Sequence, residues 1–175
     1  IKEEKIDFIN LKEINFDHPL GDASGAGVIF GVTGGVMTAA LRTAYYLLSG
    51  KNPNDLYFEK EITSLKGVKI FNLDFLGKRL RIGIIDGLKN FNQIKNRLND
   101  FDYIEVMTCP GGCLAGGGQP KPINNEIREK RKKVLLRIDN QKTIKTSHNN
   151  LYLKKIYDEF LTNEKLIYKF CHLKH

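Results

Sequence analysis

Two cysteines, Cys109 and Cys113, stand four residues apart in a stretch that is dense in glycine. Five of the chain's 16 glycines fall between Gly111 and Gly118. Glycine at this density rules out a stable helix or strand, because each glycine raises the entropy of the unfolded chain and offers no side chain to pack. Successive backbone N–H groups in such turns form concave nests that favour anions. The pattern therefore predicts thiolates on a metal, with backbone donors that offset their negative charge.

The elements before this loop must position it. Apolar residues alternate at 71–75 and again at 80–84, and Leu76-Gly77-Lys78 between them is typical of a hairpin turn. Helical spacing follows over 88–98, and strand character returns at 103–107. A strand–helix–strand unit gives a parallel, right-handed crossover. We therefore expect the cysteine loop at the carboxyl end of a parallel strand, where open α/β sheets build their sites.

A second glycine-rich loop, residues 21–35, precedes a helix predicted at about 36–49. We expect Thr33 or a neighbour to cap this helix, and Gly50 to close it in the left-handed conformation. Arg42 is the only charge in the helix, so the helix is predicted to be buried.

A nucleotide-binding loop is one interpretation of this second loop, because a loop followed by a helix often holds phosphates. The dinucleotide pattern needs a glycine where Phe30 stands, and the loop lacks the Gly-Lys pair of the mononucleotide pattern. The alternative is a backbone wall against a bulky buried group, with Phe30 pointing into it.

Beyond Pro122 the chain is helical and charged, with helices predicted at about 124–137, 151–161 and 164 to the end. We expect this segment to wrap around the domain rather than form its own core. The dense basic run 128–133 is interpreted as the solvated face of a helix. The net charge of +8 favours acidic partners such as an acidic redox protein. No nucleic-acid motif accompanies the charge, so a nucleic acid is not the predicted partner.

Composition bounds the compartment and the class. No window of about twenty apolar residues exists, so no membrane span is predicted. Three cysteines without a visible signal peptide indicate a reducing, cytoplasmic compartment. The chain opens at Ile1 without an initiator methionine, from which we expect a piece of a longer protein.

The number of thiols limits the metal site. A four-iron cubane normally takes four cysteine thiolates, and this chain has three cysteines. Cys171 lies among apolar residues of the last predicted helix, where packing is favoured over ligation. A zinc site stays open as an alternative, although zinc loops rarely need so many glycines. Its ligands would be Cys109, Cys113 and two of Cys171, His172 and His175.

The remaining titratable groups predict no second site. His18 precedes a proline and His148 follows Thr146-Ser147, and each is interpreted as a surface or capping residue. Glu105 and Asp102 flank the last predicted strand without an obvious partner. No serine–histidine–acid or paired-carboxylate arrangement stands out.

Residues 105–120 (EVMTCPGGCLAGGGQP) closely resemble the third cysteine signature of [FeFe]-hydrogenases. Residues 27–37 and 39–44 resemble a second stretch of that family, and residues 146–161 resemble its small-subunit helical region. The resemblance covers nearly the whole chain from about Pro19. It implies an α/β iron hydrogenase fold, with a parallel-sheet βαβ lobe at 1–123 and a helical tail at 124–175.

By this resemblance, Cys109 ligates a 4Fe-4S cubane, and Cys113 bridges it to a two-iron subcluster with CO, CN and dithiolate ligands. Met107 packs against the two-iron unit of this H-cluster. The residues implied to bind the cofactor are Phe30, Gly31, Thr33, Gly34, Gly116, Gly117 and Gln119. The implied reaction is the reversible reduction of protons to dihydrogen, with electrons from ferredoxin or a similar carrier.

The chain departs from the family in two ways. The two earlier cysteine motifs, which would carry the other cubane ligands, are absent, and Thr38 stands where the family commonly has glutamate. We therefore expect this polypeptide to need an N-terminal part or a companion subunit before it can assemble a working cluster. The alternatives are a hydrogenase-like iron–sulfur assembly factor and a sensor without turnover.

Overall fold

The computed structural model describes residues 1–15, 17, 21–53, 58–61 and 63–171, with the backbone alone at 58–61. Helices and one sheet share the chain, as the predicted α/β class requires. The strands are β1 (Phe58–Glu61), β2 (Val68–Phe75), β3 (Lys78–Asp86) and β4 (Tyr103–Met107). The helices are α1 (Gly25–Ile29), α2 (Gly35–Ser49), α3 (Asn125–Gln141), α4 (Leu151–Glu159) and α5 (Glu164–Cys171).

The sheet has the order β1-β2-β3-β4. The first two pairings are antiparallel, and β3 pairs with β4 in parallel, with Ile82 opposite Tyr103 and Asp86 opposite Met107. Leu76 and Gly77 both have positive φ (54° and 80°), as a type I′ hairpin turn requires. The predicted hairpin and the predicted parallel pair are both present.

The connection between β3 and β4 differs from the predicted helix. It consists of two 3₁₀ turns, Leu88–Gln93 and Leu98–Asp100. Asparagine is frequent here, and its side chain competes with helical hydrogen bonds for the backbone. The Asn90 amide, for example, donates to the Asp86 carbonyl (2.6 Å). Of the apolar residues at this spacing, Ile94 is buried (1% exposed), whereas Leu88 is 55% exposed.

The core lies on both faces of β3, whose buried run predicts a strand covered on both sides. Members of the cluster on the α2 side are Met37, Leu41, Leu73, Phe75, Ile82 and Ile84. Members of the cluster on the other side are Val68, Ile70, Ile85 and Ile94.

The helix α2 ends as predicted, but it is not wholly buried. Gly50 takes the left-handed conformation (φ 70°), and its N–H donates to the Tyr46 carbonyl (2.8 Å). Met37 and Leu41 face the sheet, whereas Leu47 is 73% exposed. The near absence of charged residues in α2 therefore predicted a more buried helix than the one observed, because the sheet covers only one of its faces.

The tail forms three helices near the predicted bounds, with α3 extended to Gln141. It packs mainly on α1, and the buried Asp139 of α3 forms an ion pair with Arg42 of α2 (2.8 Å). No helix of the described residues is long and apolar enough to cross a bilayer.

Candidate metal centre

The two thiols lie in the loop that leaves the carboxyl end of β4. Cys109 and Cys113 are both exposed, and neither forms a disulfide. Gly111 and Gly112 between them have positive φ (82° and 67°), a conformation that L side chains rarely adopt. The Gly112 N–H donates to the Cys109 carbonyl (2.9 Å) and closes the turn.

The two glycine-rich loops meet at this turn. The Cys113 N–H donates to the Gly31 carbonyl (2.9 Å). A Cβ atom at Gly112 would lie 2.6 Å from the Met107 methyl carbon and 2.7 Å from the Gly31 oxygen. These contacts make glycine necessary at position 112, because any side chain would push the two loops apart.

Asp86, the last residue of β3, joins the same two loops. Its Oδ1 accepts hydrogen bonds from the Thr33 hydroxyl (3.1 Å) and from the Gly111 N–H. Asp86 was not predicted from the sequence. Its position at the end of a parallel strand was the available signal, because the ends of β3 and β4 lie at the same edge of the sheet.

Glu105 has partners that the sequence analysis did not identify. Its carboxylate accepts from the Gly34 N–H (2.6 Å) and from the Met37 N–H (2.7 Å), and the residue is 5% exposed. It therefore caps the amino end of α2 from another element, while Thr33 binds Asp86 instead. Burial, and secondarily the Glu105 charge, raises the pKa of Tyr103 on the same strand.

The basic run of α3 is only partly a solvated face. Arg131 donates to the Leu114 carbonyl (2.7 Å) and to the Pro120 carbonyl (2.8 Å), both in the cysteine loop. The Arg128 side chain lies against Gly111, 3.2 Å from where a Cβ would stand. The interpretation of these two arginines as solvent-facing is therefore wrong, because both contact the loop.

The other residues predicted to bind the cofactor differ in how close they lie to the thiols. A Cβ at Gly116 would lie 3.7 Å from the Cys109 sulfur, whereas nothing lies within 4 Å of that position at Gly117. The Gln119 N–H donates to the Gly116 carbonyl (3.3 Å). Phe30 is 48% exposed at the end of α1, so it has unburied ring surface to offer.

Two cavities lie beside the loop that precedes α2, and Thr33 lines both. One of about 140 Å³ is also lined by Asp86, Gly111, Leu114 and Arg128. A second of about 240 Å³ lies along α2 at Met37. The smaller cavity therefore borders the cysteine loop through Gly111 and Leu114.

The donors present fit part of an iron–sulfur site. Two free thiols in a glycine turn match the ligand chemistry of a thiolate-bound cluster, but a cubane needs four. Among the described residues, no three histidine, cysteine, aspartate or glutamate side chains form a metal-binding group. Cys171 therefore does not join the pair, and its exposure also contradicts the predicted packing role. His172 and His175 of the zinc alternative, like His18, lie outside the described residues.

Family models match most of the chain. The C-terminal domain of the iron-only hydrogenase large subunit matches residues 1–117. The iron hydrogenase small subunit matches residues 125–167, which contain α3 and α4.

Individual relatives agree with this result. The chain is 42% identical over 165 residues to the NADP-reducing hydrogenase subunit HndD of Solidesulfovibrio fructosivorans, covering 92% of this chain and 28% of HndD. It is 29% identical over 174 residues to Protein NAR1 of Arabidopsis thaliana, covering 92% of this chain and 36% of NAR1.

A solved structure gives the same fold. A variant of the apo [FeFe]-hydrogenase HydA1 from Chlamydomonas reinhardtii superposes with a TM-score of 0.66 at 31% identity, covering 96% of this chain and 50% of that one. The chain thus spans about a third or less of these curated relatives and half of the solved chain. It belongs to the iron-only hydrogenase family.

Proposed function

We propose that this chain is the carboxyl-terminal part of an [FeFe]-hydrogenase catalytic domain, which reversibly reduces protons to dihydrogen. The observation that carries the proposal is the thiol pair in a glycine turn, fixed against a second glycine loop at the end of a parallel strand. The 42% identity to a hydrogenase subunit over 92% of the chain supports the same conclusion.

Each predicted residue has a proposed role at this centre. Cys109 would hold a 4Fe-4S cubane, and Cys113 would hold both the cubane and a two-iron subcluster. Met107, whose methyl group already packs on the turn, borders the two-iron unit. The residues proposed to line the pocket are Phe30, Gly31, Thr33, Gly34, Gly116, Gly117 and Gln119. When bound, the two-iron subcluster with its CO, CN and dithiolate ligands supplies the site where protons and electrons combine.

The chain offers two of the four cubane thiolates, so we propose that the others come from an amino-terminal part of the same protein or from a companion subunit. In the proposed division, residues 1–123 form the lobe that holds the thiols, and residues 124–175 form the small-subunit-like tail. Ferredoxin or a similar carrier supplies the electrons. We propose the cytoplasm as the compartment, which agrees with three cysteines that form no disulfide.

The test is anaerobic expression of the chain together with a polypeptide that carries the two earlier cysteine motifs. We expect bound iron, infrared bands of carbonyl and cyanide ligands, and dihydrogen evolution from a reduced dye. The C109S and C113S variants should lose these signals, and C171S is the matched control that should keep them. Iron bound equally well after loss of both loop thiols would contradict the proposal.

An iron–sulfur assembly factor without turnover is the second candidate. The similarity to Protein NAR1 over 92% of this chain and 36% of that protein favours it, and relatives named as probable cytosolic Fe-S cluster assembly factors also match. Cubane signals in electron paramagnetic resonance without carbonyl or cyanide bands would select this candidate. Full infrared bands with negligible turnover would instead select a sensor.

A further inference from the structure

Arg131 belongs to the helical tail, but its side chain ends in the cysteine loop. Nη1 donates to the Leu114 carbonyl (2.7 Å), and Nη2 donates to the Pro120 carbonyl (2.8 Å). A planar guanidinium presents both donors in a fixed geometry, whereas a lysine offers one flexible charge. One side chain therefore joins the two ends of segment 114–120, the exit limb of the loop.

Apart from the buried side chain of Leu114, the exit limb has little else to hold it. Gly117 and Gly118 have no atom within 4 Å of the position that a Cβ would take. The local N–H···O bonds that start in the limb are long, at 3.3 and 3.4 Å. Among the hydrogen bonds of the described residues, those that connect this limb to another element are the two from Arg131.

Cys113 stands where the support changes from the lobe to the tail. Asp86 holds the Gly111 N–H before it, and the Gly31 carbonyl holds its own N–H. Leu114, the next residue, is held by Arg131. In terms of these hydrogen bonds, the lobe therefore holds the chain up to Cys113, and the tail holds the chain immediately after it.

We propose that Arg131 is a positioning residue for Cys113, so that the small-subunit-like tail is a working part of the metal centre. The two hydrogen bonds restrict the backbone on the exit side of Cys113 and so hold its thiol in one direction before metal binds. The importance of that direction for a cluster rests on the proposed function. The restriction of the loop itself does not depend on any metal.

The first test uses the full metal-free chain under reducing conditions. R131A removes both bonds, R131K keeps the charge but loses the planar two-donor geometry of the guanidinium, and R137A is the matched control on an exposed position of the same helix. Hydrogen exchange over residues 109–120 and the iodoacetamide reaction of Cys113, referenced to the exposed Cys171, are measured. We expect R131A to speed exchange of the limb amides by about tenfold, as loss of charge-assisted hydrogen bonds implies. The iodoacetamide rate ratio should rise as well, with R131K in between and R137A unchanged.

The second test separates positioning from general loosening. An iron–sulfur cluster is assembled on the chain and its motif-bearing partner, and its midpoint potential is followed by electron paramagnetic resonance. We expect R131A to shift the potential and broaden the signal, R131K to restore part of both, and R137A to match the unmodified chain. A potential that is the same in R131A and R137A would overturn the proposal.

The first test does not depend on the proposed function, whereas the second requires a cluster. If R131A and R137A exchange and react alike in the metal-free chain, the positioning role is wrong even if the protein evolves dihydrogen. If no cluster forms on the unmodified protein, the proposed function fails, and the metal-free comparison still decides whether Arg131 holds the loop. Should R131A fail to fold, R131K against R137A gives the same decision.

Discussion

At the scale of single residues, two carboxylates organise the centre. Asp86 accepts from Thr33 and from Gly111, and Glu105 accepts from Gly34 and Met37. Each therefore links the loop before α2 to the strand-end region that carries the thiols. Neither is a predicted ligand; their work is to hold the two backbones in contact.

Replacing Glu105 with alanine should destabilise the fold. The change leaves two buried N–H groups at the start of α2 without an acceptor, which costs about 2 kcal/mol or more in the free energy of unfolding. Urea denaturation followed by circular dichroism measures this loss. Asp102 is the matched control, because it is exposed and accepts from the Arg81 N–H (2.9 Å). Equal losses in E105A and D102A would contradict the capping role.

Gly112→Ala should disturb the cysteine turn far more than Gly117→Ala. A Cβ at Gly112 would lie under 3 Å from Met107 and Gly31, and the backbone there has a positive φ that an alanine rarely adopts. The corresponding position at Gly117 is open. We expect G112A to lose about 2 kcal/mol or more of stability and G117A to stay within about 1 kcal/mol. Thermal unfolding of the metal-free protein gives the comparison, and a G112A midpoint equal to that of G117A would refute the packing argument.

At the scale of elements, the tail is tied to the lobe by polar contacts. Arg42 on α2 pairs with the buried Asp139 on α3 through two hydrogen bonds of 2.8 and 3.0 Å. His148 stacks on Tyr46 of α2 with ring centroids 4.1 Å apart and contacts Asn52 at 2.8 Å. These specific polar pairs therefore add to the packing of α3 on α1.

Arg42→Met should weaken this docking strongly. The Asp139 side chain is 4% exposed, so removing its partner leaves a buried charge, at a cost of about 3 kcal/mol. Lys155→Met, which breaks the exposed pair with Glu159, should cost no more than about 0.5 kcal/mol. Chemical denaturation of both variants measures the two losses. Similar denaturation midpoints would contradict the predicted difference between the buried and the exposed ion pair.

His148 should make the stability depend on pH. Burial lowers the pKa of His148 below its usual value of 6.5, so the unfolded chain binds this proton more readily than the folded chain. The His148 contribution to the free energy of unfolding is therefore fully present above pH 6.5 and is lost as the pH falls below 6.5 toward the folded-state pKa. Denaturation measured at a series of pH values below 6.5 should show a free energy of unfolding that falls with pH, and H148Q should reduce that slope. If the slope is the same in H148Q, the pH dependence comes from other groups.

At the scale of the whole molecule, the charge is separated between the two parts of the chain. Residues 124–175 hold 13 lysines and arginines against six acidic residues, whereas residues 1–123 hold 15 against 14. Almost all of the net charge of +8 therefore belongs to the tail, next to the cysteine loop. An acidic electron carrier would be attracted to this side of the molecule.

If the electron carrier proposed above is acidic, electron transfer from it should weaken with salt. We expect the second-order rate to fall by about tenfold between low ionic strength and about 0.15 M, because the Debye length shortens to about 8 Å. The double variant K133E/R137E should lower the rate at low salt, and K2E/K5E is the control on the exposed amino-terminal segment. Stopped-flow kinetics measures the rates of the two double variants. Equal effects of the two would contradict binding of the carrier on the tail side of the molecule.

Local features of the fold could be predicted, and long-range polar contacts could not. The hairpin at Leu76-Gly77, the Gly50 helix end and the tail helices follow from turn residues and spacing that act within a few residues. The connection at 88–98 has the apolar spacing of a helix but forms 3₁₀ turns. Its asparagines offer the backbone competing hydrogen bonds that an apolar pattern does not register.

The sequence by itself determined the kind of site: two thiols in a glycine turn after a strand, with too few cysteines for a complete cubane. Those properties depend on residue types and on local backbone freedom. The tertiary structure alone decided what holds the turn, because its partners are distant in the chain. Gly111 meets Asp86 from 25 residues away, Gly34 meets Glu105 from 71, and Leu114 meets Arg131 from 17. Such pairings depend on how the sheet and α3 pack, so no local sequence pattern predicts them.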